Sequence, residues 1–414
     1  MYGRARGWED SEMTNAPARV RNLAHAFERL LEGGTMTRGD LMAATGLSKA
    51  TVARLVTELE EAGFVEERWI DPSEGPGRRA SGLGVPRALG HVLGLSLGLR
   101  SSHAVALDLA GRTVGSRLEP TPEFSEGDDI AAWAAKLLGG LVATLDGCGP
   151  LLRVCVALPG RVRDGAAISP LPPPLAGLAH ESSGASRHST SPSFAHALEE
   201  ALGVPVMLAT DADMALAGAT SRGVLEAETP AVLFTLSTAL TVSTRTRLGV
   251  VQARTSALGD YAMLPLVLPH DLDAGRDSPP AGLRLGSLLS VRGLTEFVAA
   301  QGVEVADLAE LWQRESPEIQ RVRRAFAEAL VAAILVAAVT TDPETCVLTG
   351  RLAPLASIVA SEVQARLDAM LERAPRVIVP GVDDNGLTTA LGSAEVALRL
   401  ERARLVRQLA GGEG

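Results

Sequence analysis

The chain has 414 residues, room for two or three domains, and is 46% hydrophobic but only 3% aromatic, so its cores are built from Ala, Leu and Val. Its net charge of −10 excludes a uniformly basic nucleic-acid coat, yet residues 17–90 carry ten Arg/Lys against ten Asp/Glu, so the acidic excess lies elsewhere. Cys148, Cys155 and Cys346 fit no metal spacing, residues 1–13 carry no apolar leader, and the strongest apolar run, Ala329–Val339, is too short to span a bilayer; a reduced, cytoplasmic setting without a membrane follows.

Residues 1–16 read as a disordered tail. Arg19–Leu31 has the spacing of an amphipathic helix. Thr37, with Asp40 three residues on, is a capping box opening a short helix that turns Leu41 and Ala44 inward. Gly46-Leu47-Ser48 is a tight turn, and Ser48 caps a second helix over residues 49–62. There Val52, Leu55, Val56 and Leu59 recur at i, i+3, i+4 and i+7, which buries one stripe. Opposite stand Ala50, Arg54 and Thr57, with Lys49 and Thr51 beside them in the first turn.

Phe64-Val65 begins a strand, Asp71-Pro72 turns it, and a Gly/Pro tip carries Arg78 and Arg79 before a return strand near Leu83–Val85. Cap, turn, stripe and hairpin at this spacing predict a winged helix-turn-helix over 17–87. Its second helix offers Ser48, Lys49, Ala50, Thr51 and Arg54 to the major groove of double-stranded DNA. Arg78 and Arg79 suit a narrow, electronegative minor groove. A small helical bundle with an exposed basic turn is the blander alternative.

Val85-Pro86 through Gly90 is a short joint. From His91 the pattern changes to apolar runs typical of buried strands, at 91–99, 103–111 and 151–160, with a helical stretch at Asp129–Leu145. Strands interleaved with a helix in this order argue for a mixed α/β sheet. Pro170–Pro192, rich in Pro, Ser and Gly, is an irregular loop; a second α/β unit runs from near Val206 to near Val379, and a long amphipathic helix, Asn385–Leu409, closes the chain.

From about residue 19 onward the chain resembles the ROK family of bacterial repressors and sugar kinases. Residues 92–112 resemble that family's first strand pair and phosphate loop, and 156–162 its sugar-binding Pro-Gly turn. Residues 206–219 resemble the helix-opening motif with the catalytic Asp, 256–264 the Gly-Glu-Ile-Gly-His sugar site, and 385–398 the closing helix. The resemblance implies an α/β fold: an N-terminal winged helix-turn-helix followed by a two-lobed, actin-like (sugar kinase/ribonuclease H-like) domain. The first lobe takes residues 88–205 with 385–410, and the second takes 206–384.

Against the family pattern the kinase chemistry is eroded. The Asp-x-Gly-Gly-Thr phosphate loop is replaced by Ser96-Leu97-Gly98-Leu99-Arg100, and the Gly-Thr-Gly loop by Ser237-Thr238-Ala239, which places side chains where bare backbone should approach phosphate. Asp211 occupies the catalytic-base position and equally suits a helix N-cap. In the sugar site the family's Glu is Asp260 and its metal-and-sugar His is Met263; Ile168-Ser169-Pro170-Leu171 stands where an Asn grips hydroxyls. No Cys lies between Cys155 and Cys346, so the family's zinc clip has no ligands, His270-Asp271 being a weak pair; Leu283, Leu285, Leu288 and Leu289 must hold that loop by packing.

The expectation is a transcriptional regulator, a repressor, with no catalytic residues, no cofactor and no metal. It forms a homodimer or homotetramer on its operator, and a sugar or sugar-like effector binds between the lobes against Pro159, Gly160, Asp211 and Asp260. An active ATP-dependent sugar kinase with an appended DNA-binding domain, and a regulator that no longer senses a sugar, are the alternatives.

Overall fold

The computed structural model describes residues 18–70, 80–124, 129–163, 166–168, 171–172, 175, 178, 193–251, 260–269, 283–304, 308, 313–381 and 385–411. The expected tail, the tip of the wing and most of the Pro170–Pro192 loop lie outside these residues.

Three helices open the chain: α1 (Ala18–Gly33), α2 (Arg38–Thr45) and α3 (Lys49–Glu61). Their apolar stripes form one small core, with Phe27, Leu30, Leu41, Leu55, Val56 and Leu59 all fully buried and Phe64 set edge-on to Phe27 at 5.2 Å. Leu41 points inward as expected, but Ala44 is exposed, because a helix of two turns has room for a single inward row. Strands β1 (Glu66–Ile70) and β2 (Ala80–Gly84) pair antiparallel, and Met36 adds a third rung by exchanging two backbone hydrogen bonds with Leu83. This is a winged helix-turn-helix.

Two five-stranded sheets follow, and they share one topology. The first runs β5-β4-β3-β6-β9, from β3 (His91–Leu97), β4 (Ser101–Asp108), β5 (Thr113–Pro120), β6 (Leu151–Leu158) and β9 (Val206–Thr210). The second runs β12-β11-β10-β13-β14, from β10 (Ala231–Leu236), β11 (Leu240–Thr246), β12 (Gly249–Val250), β13 (Thr345–Thr349) and β14 (Arg376–Ile378). In each, the first three strands are an antiparallel meander and the last two add in parallel on the other side. A small hairpin, β7 (Arg161–Arg163) with β8 (Ala166–Ile168), follows β6.

The chain divides into two compact units, one running to Gly218 and resuming at Asn385, the other spanning Ala219–Asp384. The second lobe was expected to begin at residue 206. Instead β9 pairs with β6, from Val154↔Val206 to Leu158↔Thr210, so it completes the first sheet. The chain leaves this unit within helix α6 (Asp211–Ser221), which follows α4 (Ile130–Val142) and α5 (Phe194–Leu202). The chain returns to the first unit at Asn385.

In the first unit β3 is buried along its whole length because both faces are covered. Leu93, Leu95 and Leu97 point to a core shared with α4 and α5. Gly94, on the opposite face, lies under the last helix, α11 (Leu387–Leu409); a Cβ there would sit 2.1 Å from Ala390 O. The winged head belongs to this same unit. Helix α1 packs on α11, and Arg402 of α11, which donates to Leu109 O at 2.9 Å, lies in the field of Glu32 from α1. The joint at Pro86–Gly90 is pinned as well. Gly149 N donates to Arg87 O at 2.9 Å, and any side chain at Gly149 would strike Ala88 O.

The second unit has its own core. Val232, Phe234 and Leu236 pack beneath α7 (Gly286–Leu289), α8 (Val291–Ala300), α9 (Pro317–Thr341) and α10 (Ala353–Met370). The run Ala329–Val339 lies in the C-terminal half of α9 and is largely buried, although Val339 itself is 77% exposed. Arg245 is buried with no carboxylate partner among the described residues; it binds Thr220 Oγ1, Glu226 O and Thr229 O and so clasps the segment entering this unit. Among the described residues no helix is long and apolar enough to cross a membrane.

Candidate nucleic-acid interface and ligand-site residues

The start of helix α2 is the capping box the sequence implied. Asp40 N donates to Thr37 Oγ1 at 3.1 Å, while Thr37 N and Thr37 Oγ1 donate to Asp40 Oδ2 at 2.9 and 2.8 Å; the two bonds to the carboxylate hold it below its usual range. Gly46 ends the helix at φ 68°, a conformation that favours glycine. Ser48 then caps α3, accepting from Thr51 N at 3.2 Å, and its Oγ lies 2.9 Å from Thr51 Oγ1. Ser48 and Thr51 therefore serve the start of the helix, and Thr51 is half-buried.

Helix α3 buries Val52, Leu55, Val56 and Leu59 and exposes Lys49, Ala50, Ala53, Arg54 and Thr57. Lys49 and Arg54 make no ion pair among the described residues. The acids around them are held. Arg19 grips Glu58 through Nη2 at 2.7 Å, Arg38 lies 2.7 Å from Glu67 and 3.6 Å from Glu60, and Arg68 lies 2.6 Å from Glu66. The sequence showed the acidic cluster but not these partners, because Arg19 and Glu58 are 39 residues apart and meet only through the packing of α1 on α3. Arg78 and Arg79 lie outside the described residues.

The first unit gathers three of the landmark segments at one sheet edge. Strands β3, β6 and β9 are parallel neighbours; Ser96–Arg100 spans the carboxyl end of β3, and Pro159-Gly160 and Asp211 follow those of β6 and β9. Ligands of open α/β sheets bind at that edge. Gly160 has φ 151°, and a Cβ there would lie 2.4 Å from Leu171 Cδ2, so the turn requires glycine. Asp211 is the first residue of α6 rather than its cap. Thr210 caps the helix, accepting from Asp213 N at 3.3 Å, while the Asp211 carboxylate accepts from Ala212 N at 2.7 Å. Burial pushes the Asp211 carboxyl up to about 7, and the nearby Asp213 charge adds to the rise.

The segments expected to have lost phosphate are filled. Ser96 is 8% exposed, and Gly386, at φ 82°, approaches it so closely that a Cβ on the glycine would lie 2.8 Å from Ser96 Oγ. Leu99 packs against the first core. Ser237-Thr238-Ala239 is the bend between β10 and β11; Ser237 N donates to Ala239 O at 3.2 Å and Ser237 O accepts from Val291 N at 2.7 Å, so both backbone groups are already used.

Asp260 stands in the second unit, at the N-cap of a 3-10 turn, Tyr261–Met263, and its part in a ligand site rests on the sequence alone. Met263 is 55% exposed beside Arg284. Leu285, Leu288 and Leu289 are buried in the core of that unit and Leu283 packs against it, as the sequence required. Among the described residues no three His, Cys, Asp or Glu side chains cluster as metal ligands; His270 and Asp271 lie outside those residues.

Residues 20–68 match the IclR helix-turn-helix domain family. A candidate xylose repressor of Caldicellulosiruptor sp. is 34% identical over 91 residues, which is 22% of this chain and 23% of that protein. A transcriptional regulator of Mycobacterium bovis is 34% identical over 115 residues, 27% of this chain and 26% of that protein. The matched segments thus span about a quarter of the length of these relatives. Among solved structures, a ROK family transcriptional regulator homologous to the E. coli MLC protein superposes with a TM-score of 0.67 at 16% identity, covering 95% of this chain and 99% of that one. The ROK hexokinase of Thermus thermophilus superposes with a TM-score of 0.54 at 21% identity, covering 74% and 98%. The fold is that of an N-terminal helix-turn-helix followed by a ROK-type, sugar-kinase-like domain.

Proposed function

We propose that this chain, an IclR-type helix-turn-helix joined to a sugar-kinase-like domain of the ROK fold, is a DNA-binding transcriptional regulator that acts as a repressor and does not transfer phosphate. One observation carries the reading. Helix α3 is capped, seated and exposed along one face, and among the described residues its two cations make no ion pair while arginines hold the neighbouring acids. Such a face is attracted to phosphate and free to reach base edges.

The kinase-like domain serves as a sensor. Phosphoryl transfer needs a phosphate cradle and a metal as well as a base. Here Ser96 is sealed by Gly386 and the Ser237 backbone is spent internally. A carboxyl titrating near 7, like that of Asp211, both donates and accepts hydrogen bonds at neutral pH, which suits the hydroxyls of a sugar or sugar-like effector. The same raised value would suit a catalytic base, which keeps the kinase reading alive at that one residue. Two copies would present two heads to a palindromic operator. An effector shifts release only by its differential affinity for the released form.

The test is operator selection with purified protein, then release of the bound operator across a carbohydrate panel. Release by a carbohydrate from the wild type, but not from Asp211→Ala, is the expected result. Equal response by the variant removes Asp211 from the site. Sugar-dependent ADP formation above that of Asp211→Asn overturns the loss of phosphate transfer.

A further inference from the structure

What a recognition helix can read depends on the donors, acceptors and methyl groups on its free face. On α3, positions 50, 53, 54 and 57 lie along one face, with Lys49 at its start. The hydroxyls are engaged within the helix: Ser48 and Thr51 bond one another, and Thr57 Oγ1 donates to Ala53 O at 3.1 Å. The helix contains no Asn or Gln. Its carboxylates are committed or distant. Arg54 and Glu58 stand at i,i+4, a spacing at which opposite charges on a helix pair. Glu58 instead accepts from Arg19 of α1 at 2.7 and 3.3 Å. Glu60 lies beside Arg38, and Glu61 is the last residue of the helix, two turns beyond Arg54.

In the major groove, guanine offers two acceptors to Arg or Lys, adenine calls for an Asn or Gln amide, cytosine for a carboxylate, and thymine shows a methyl that small apolar side chains touch. We infer that α3 reads guanine through Arg54 and thymine methyls through Ala50 and Ala53, and that Arg19 is a positioning residue that keeps Glu58 away from Arg54. The preferred ligand is a duplex whose half-site sets a guanine beside thymines. This inference rests on the DNA-binding reading above.

Random duplexes are selected with the full chain, and the enriched half-site is then altered one group at a time. Replacing thymine by deoxyuridine removes only the methyl, and at the positions facing Ala50 and Ala53 it should weaken binding several-fold. Arg54→Gln should move the preference at one position from guanine to adenine, a swing of roughly 5- to 100-fold between the two bases. Arg19→Ala should weaken binding by roughly two- to fivefold with an unchanged melting temperature, and adding Glu58→Ala should restore it. A purely structural Arg19 would not be rescued by the second change. Unchanged affinity with deoxyuridine at every thymine, or an Arg54→Gln variant that loses affinity evenly on all sequences, overturns the inference and leaves DNA binding intact. Failure to enrich any sequence overturns the DNA-binding reading and this inference with it.

Discussion

Arg54 and Asp211 owe their chemistry to what surrounds them. Glu58, the i,i+4 neighbour of Arg54, accepts instead from another arginine, Arg19. Arg54→Ala should cost roughly 1–3 kcal/mol of operator binding and relax preference at one position, whereas Arg78→Ala with Arg79→Ala should weaken affinity for A·T-rich flanks; binding isotherms at physiological salt decide both. Asp211 has its carboxyl raised from 3.8 to about 7 by burial. A raised acid holds its proton in the fold while the unfolded chain has lost it. Stability from this group is therefore greatest below about pH 4, falls as pH climbs toward 7, and is flat above. Asp211→Asn should raise the melting temperature at pH 8 by about 2–4 °C and leave it unchanged at pH 4. Equal shifts at both pH values would show that the carboxyl is not buried as described.

Among the elements, helices α6 and α11 cross with their backbones in contact. A Cβ on Gly392 would sit 1.9 Å from Met214 O, and one on Gly218 would sit 1.8 Å from Thr388 O. Backbone cannot rotate aside as a side chain can. Gly392→Ala should therefore destabilise the first unit by at least about 1–3 kcal/mol in chemical denaturation, while the exposed Gly139→Ala, whose Cβ meets nothing, should not. The local signals of the head were legible: the Thr37–Asp40 box, the Ser48 cap and the Val52–Leu59 stripe are each written within a few residues. Strand β9 was misplaced because a buried parallel strand looks alike in either sheet, and only its pairing with β6 decides. Thr210, not Asp211, caps α6, and two adjacent candidate caps cannot be ranked without the backbone. The sealing of Ser96 by Gly386 was invisible too, since it joins residues far apart in the sequence.

For the whole molecule, the winged head is part of the first unit and not a tethered accessory. It is fixed at the Gly149 clamp and along α11. Calorimetry should show the head melting together with the first sheet in one transition and residues 219–384 in another. A saturating operator duplex should raise only the first. A separate low-temperature transition for the head would contradict the clamp.

The order in which the chain is synthesised gives the closing helix a further consequence. Helix α11 leaves the ribosome after every segment it covers: α1, the β3 strand at Gly94, and α6 at Gly218. The second unit is one continuous stretch and is free to fold as it emerges. The first must wait with one face of its sheet bare, because its contacts bridge almost the whole sequence and such closures are slow. A chain cut short before residue 387 should therefore carry a head without its α11 seat and a sheet without its cover, and limited proteolysis should digest it faster than the full chain.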